Sequence, residues 1–194
     1  MTKPVLSVEL ANACRPSTIE EKVWLLGLRG WQGENKIGIY DDAIFLITPD
    51  GITGYNANTD PSRLLKGVAT LVPGTYYYKK GLHGLHHLDL NKGNDQAALN
   101  EAIRTGRDVS SLTYWAFRQD SDVTVKREGD PDSHTDNAKN RFWIDIHRGG
   151  YNTTSSAGCQ TIHPDQWKEL KEKGYAAMDT YNEPRIPYAL ALKK

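Results

Sequence analysis

The chain has 194 residues, 38% hydrophobic and 25% charged, a balance that suits one packed domain over 1–194 and excludes wholesale disorder. Its 24 basic and 24 acidic residues cancel, so net charge gives no reason to expect a nucleic-acid partner. No run of about 18 apolar residues occurs, so neither a transmembrane helix nor a membrane partner is expected. Glu9 interrupts the apolar stretch of the N-terminus, which lacks the pattern of a secretory signal.

The predicted elements are mostly strands, with a few helices, giving a mainly β, α+β class. Lys22–Gly30 reads as a buried strand ending in a glycine turn. Ile37–Tyr40 and Ala43–Thr48 are short apolar runs split by Asp41-Asp42. Pro49-Asp50-Gly51 is a turn signal leading to Ile52–Asn56, which predicts a hairpin. Thr75–Tyr78 follows Pro73-Gly74 and is rich in strand-forming residues. Asp95–Gly106 places Ala97, Ala98, Leu99, Ala102 and Ile103 near one helical face. Ser111–Phe117 and Val123–Val125 read as strands, 127–140 as a polar surface loop, and Arg141–Ile146 as a strand leading into His147. Pro164 opens a helix that Gly174 should close, and Ile186–Leu192 reads as a final strand.

Only Cys14 and Cys159 occur in the chain, too few for a disulfide scaffold. Cys159 lies twelve positions after His147, the two flanking a glycine-rich connection. An ordinary thiol is only a few per cent ionised at neutral pH, and a histidine within reach supplies the missing base. Gly158, with no side chain, lets the amides around Cys159 approach a developing oxyanion. The bland reading of each residue is a small buried hydrophobe for the cysteine and a structural role for the histidine. Their shared placement at strand and turn ends favours a nucleophile and its base.

The segments Ile146-His147-Arg148-Gly149 and Ser156-Ala157-Gly158-Cys159-Gln160-Thr161 resemble the L,D-transpeptidases of bacterial cell-wall synthesis. That family places a histidine at a strand end, then a loop, then Ser/Thr-His-Gly-Cys. Val72-Pro73-Gly74-Thr75-Tyr76 is similar to its Thr-Pro-x-Gly-x-Tyr segment, and the resemblance spans about 40–192, leaving 1–39 as an N-terminal extension. It implies an L,D-transpeptidase-like β-sandwich or barrel and a peptidoglycan peptide substrate, with no cofactor. Cys159 would attack a carbonyl at a diaminopimelate-type L,D junction, His147 would act as base, and the backbone carbonyl of Arg148 would orient the imidazole. His83, Ser156 and Tyr76 would contact the stem peptide. The chain departs from the family at Ala157, where a second histidine is usual, at Thr161, where Arg or Asn is usual, and in its shorter His-to-Cys interval. These departures bear on substrate detail and on transpeptidation more than on the Cys–His chemistry. They suggest a divergent phage or toxin-type variant that favours cleavage, is made in the cytoplasm, and reaches the wall by a route other than a signal, with an immunity or delivery partner in that case.

Two alternatives stand beside this reading. One is a non-catalytic module that binds wall peptides or another protein. The other is a zinc-dependent hydrolase drawing on His83, His86 and His87 with His147 or Cys159, although no His-Glu-x-x-His or paired Cys-x-x-Cys pattern supports it.

Overall fold

A computed structural model describes residues 1–84, 94–105, 113–136 and 143–193. The described residues are mainly β, in an α+β arrangement of a closed eight-stranded barrel and a separate three-stranded sheet. No helix among them is long and apolar enough to cross a membrane.

The barrel begins with β1 (Trp24–Arg29), β2 (Asp42–Thr48) and β3 (Gly51–Asn58). The hairpin expected at Pro49-Asp50-Gly51 joins β2 and β3, with Thr48 opposite Gly51. Every residue of β1 is buried, because both of its faces are covered. Leu25 joins the larger core, while Trp24, Leu26 and Leu28 pack with Leu6, Ala11 and Ile19 of the N-terminal segment. That segment includes a short helix, α1 (Val8–Cys14), capped by the Ser7 hydroxyl. The barrel therefore draws on residues upstream of 40, since β1 lies between β2 and the last strand. Ile37–Tyr40 forms turns instead of a strand: Gly38 has φ of 77°, and Ile37 and Ile39 are exposed.

β4 (Ala69–Leu71) leaves the barrel to pair with β7 (Val123–Arg127), which pairs in turn with β8 (Ser133–Asp136). β8 falls inside the stretch expected to be loop. Its polar sequence carries no apolar alternation, and only Asp136 of its four residues is buried. β5 (Gly74–His83) is longer than expected and runs antiparallel to both β6 (Tyr114–Gln119) and β11 (Ile186–Leu192). α2 (Asn94–Thr105) matches the expected helix within a residue at its start. The expected ends at Gly106 and Ser111, and the segment 137–142, lie outside the described residues.

α3 (Pro164–Thr180) runs through Gly174, where a stop was expected. A Cβ at Gly174 would stand 2.7 Å from Cζ of Phe117, so the missing side chain lets the helix approach the barrel. Its buried face continues past the glycine to Met178. His163 caps the helix by accepting from the Asp165 amide.

Candidate active site

Two very short strands position the site. β9 (Ile146–Arg148) and β10 (Gln160–Ile162) are parallel neighbours, with Thr161 opposite His147. Parallel strands need a crossover, and residues 149–158 supply one without a helix. That connection is tied down along its length. Tyr40 donates to the Gly150 carbonyl at 2.7 Å, and Ser62 and Thr154 join their hydroxyls at 2.6 Å. The Ser62 amide donates to the Ser156 carbonyl and the Ala69 amide to the Ala157 carbonyl. Gly158 closes the turn at φ of 155°, with a notional Cβ only 2.6 Å from the Ala69 carbonyl oxygen. Cys159 thus stands just before β10, close to His147.

A ring nitrogen of His147, a ring nitrogen of His83 and Sγ of Cys159 all lie within 4.8 Å of one another. Both cysteines are free thiols. His147 is 3% exposed and Cys159 8%, while the His83 side chain is 24% exposed and forms the solvent side of the cluster. Nδ1 of His147 is 2.7 Å from the Arg148 carbonyl oxygen and 2.9 Å from the Tyr114 hydroxyl. A carbonyl only accepts, so Nδ1 carries the proton and Nε2 is the basic nitrogen. The imidazoles of His83 and His147 stack at 4.1 Å with 21° between planes.

The other ring is held by a fully buried carboxylate. Asp145 Oδ2 is 2.9 Å from His83 Nδ1, Oδ1 accepts from the Gln119 amide at 3.0 Å, and Arg118 stands 3.6 Å away. The Arg118 guanidinium lies 3.7 Å over the Trp143 ring, and the Trp143 carbonyl accepts from the Cys159 thiol at 3.3 Å. Trp143 adopts a left-handed backbone, φ of 64°.

Burial sets the resting protonation. It lowers His147 to about 3, with the neighbouring His83 adding to the effect. Burial pushes the Cys159 thiol well up, helped by the Asp145 charge and opposed by the Arg118 charge. The resting pair is therefore a neutral thiol beside a neutral imidazole.

Of the residues expected at the site, His83, His147, Arg148 and Cys159 come together through side chain or carbonyl. Gly158 does not offer its amide to an oxyanion: that N–H donates to Ser156 Oγ at 2.9 Å. Ser156 is a turn clamp, its hydroxyl also donating to the Cys159 carbonyl at 2.6 Å, so it has no free donor for a peptide. Tyr76 is buried in the core and donates to the Val72 carbonyl at 2.6 Å. His86 and His87 lie outside the described residues. Sequence reasoning missed Asp145, Tyr114, Arg118 and Trp143. Asp145 left a signal: a charged residue between isoleucines, two positions before His147 and so on the same side of an extended chain.

Comparison with known protein families, with curated proteins and with solved structures gives no match for this chain.

Proposed function

We propose that the chain is a peptidoglycan-acting cysteine enzyme that cleaves, or exchanges, an L,D peptide bond of the wall stem peptide. The observation that carries this reading is the approach of a histidine ring nitrogen to the Cys159 sulfur, with Nδ1 of His147 tied to the Arg148 carbonyl. The resemblance of 146–149 and 156–161 to the L,D-transpeptidases gives the substrate class.

In the first step Sγ bonds to the scissile carbonyl carbon and its proton passes to Nε2 of His147. The imidazolium keeps its Nδ1–H on the Arg148 carbonyl, which fixes the ring during transfer. Collapse expels the leaving amine, which takes the proton from His147, and a thioester remains on Cys159. Water then attacks the thioester, His147 removes its proton, and the thiol is restored. A stem-peptide amine in place of water gives exchange. The Gly158 amide, which donates to Ser156 Oγ, does not serve the charge that develops on the carbonyl oxygen.

The test is mass spectrometry of purified muropeptides after incubation with wild type and with Cys159→Ala. New stem-peptide products that appear only with wild type support the reading. Products that persist with Cys159→Ala, or no product with either, refute it.

A further inference from the structure

The same three groups have the makings of a metal site. A zinc ion takes nitrogen at about 2.0–2.1 Å and thiolate at about 2.3 Å, which puts tetrahedral ligand atoms about 3.3–3.7 Å apart. The donor atoms here are within 4.8 Å of one another, and the His83 and His147 rings, stacked with 21° between planes, must turn toward each other for their in-plane lone pairs to meet on one ion. Ligating histidines characteristically donate their other ring N–H to a carboxylate or a backbone carbonyl. Both do so here: His83 Nδ1 faces Asp145 and His147 Nδ1 faces the Arg148 carbonyl. Each ring thus has its second nitrogen left for a metal. Two imidazoles and one thiolate fill three positions, and the partly exposed His83 side leaves the fourth to water.

We propose that Cys159, His147 and His83 bind one zinc ion, with Asp145 and the Arg148 carbonyl as outer supports, and that the bound ion locks the nucleophile. Binding forms a Zn–S bond and releases the thiol proton to solvent. The sulfur lone pair is then shared with the metal and His147 has no free nitrogen to act as base. This inhibitory consequence rests on the proposed cysteine chemistry, whereas the metal site itself does not.

The test uses the full chain carrying Cys14→Ser, so that Cys159 is its one thiol, stripped with a chelator and titrated with Co²⁺. One equivalent is expected to give a thiolate-to-cobalt charge-transfer band with the ligand-field bands of a four-coordinate ion, and Zn²⁺ should displace both. Cys159→Ala should abolish the charge-transfer band. Asp145→Asn should weaken affinity by about 10–100-fold, and His83→Gln, which keeps a polar group of similar length, should weaken it further. Absence of the band, its survival in Cys159→Ala, or unchanged affinity in His83→Gln overturns the site. Turnover of muropeptides should stop at one equivalent of Zn²⁺ and return with chelator. Turnover that needs Zn²⁺ overturns the lock. A cobalt spectrum in a chain that turns over nothing after stripping leaves the metal site standing and removes the cysteine-enzyme reading instead.

Discussion

His83 Nδ1 stands 2.9 Å from Asp145 Oδ2, although 62 positions separate the two residues in the chain. Asp145 is fully buried, and its second oxygen accepts from the Gln119 amide. Removing the carboxylate takes the acceptor from the Gln119 amide and from the His83 imidazole and leaves a void beside them. Asp145→Ala is expected to cost about 3–5 kcal/mol, as breaking a buried charge cluster does. Asp145→Asn, which keeps the shape and one acceptor, should cost clearly less. Urea denaturation of both variants checks this, and equal small losses would show that the carboxylate is not holding the cluster.

The protonation state of Cys159 can be read from its reaction with iodoacetamide. Burial raises the thiol above its ordinary value, so the thiolate fraction should keep growing with pH where an unfolded thiol has levelled off, above about 8.5. Alkylation of Cys159, followed by peptide mass spectrometry, is expected to rise about tenfold per pH unit through neutral pH and beyond pH 9 or so. A plateau already near about pH 6 would mean a resting thiolate–imidazolium pair instead.

Away from the site, Asp42 links barrel stability to pH. Burial raises its carboxyl to about 6, outweighing hydrogen bonds from the Gly30 amide and from the amide and hydroxyl of Thr59. In the unfolded chain the group titrates near about 3.9. The folded state therefore holds the proton more tightly. The stabilisation from that proton is fully present below about pH 4 and is lost as pH rises through about 6. The whole span is worth on the order of 3 kcal/mol. Denaturation of wild type and Asp42→Asn across this range should show wild type gaining on the variant as pH falls. Parallel curves would contradict it.

Gly158 is expected to tolerate no side chain. Its φ of 155° disfavours other residues, and an added Cβ would meet the Ala69 carbonyl at 2.6 Å and Ile144 Cδ1 at 2.9 Å. Gly158→Ala should lose at least about 1–3 kcal/mol through backbone strain alone. It should also displace Cys159 from His147, so activity should fall with stability. A thermal melt unchanged from wild type would show that the turn has room.

How far the sequence spoke depended on the length of the signal. Apolar runs at 22–30, 43–48 and 186–192 became β1, β2 and β11, because buried strands of six or seven residues leave a clear imprint. β9 and β10 have three residues each, too few to show a period of two, and their parallel pairing is set by neighbours far along the chain. Gly174 misled because a glycine packed against a ring looks in sequence like a helix stop. At the site, His147 and Cys159 were legible from the scarcity of cysteine and the glycine turn between strands. His83 entered through the resemblance, but its partner Asp145 depends on how β5, β6 and β9 bring residue 83 alongside residue 145, which no local pattern encodes. Tyr76 illustrates the reverse. Its strand Thr75–Tyr78 was legible, but the face that Tyr76 shares with Tyr78 is the core.

The enzymatic account stands or falls on whether the sulfur at 159 becomes acylated by a stem peptide. Intact-protein mass spectrometry of quenched mixtures of enzyme and a diaminopimelate-containing stem tetrapeptide reads this directly. The expected result is a thioester adduct, equal in mass to the peptide less its leaving group and less the thiol hydrogen, on Cys159 of wild type and absent from Cys159→Ala. Turnover of the peptide with no adduct on Cys159 at any quench time, and undiminished in Cys159→Ala, would contradict the account.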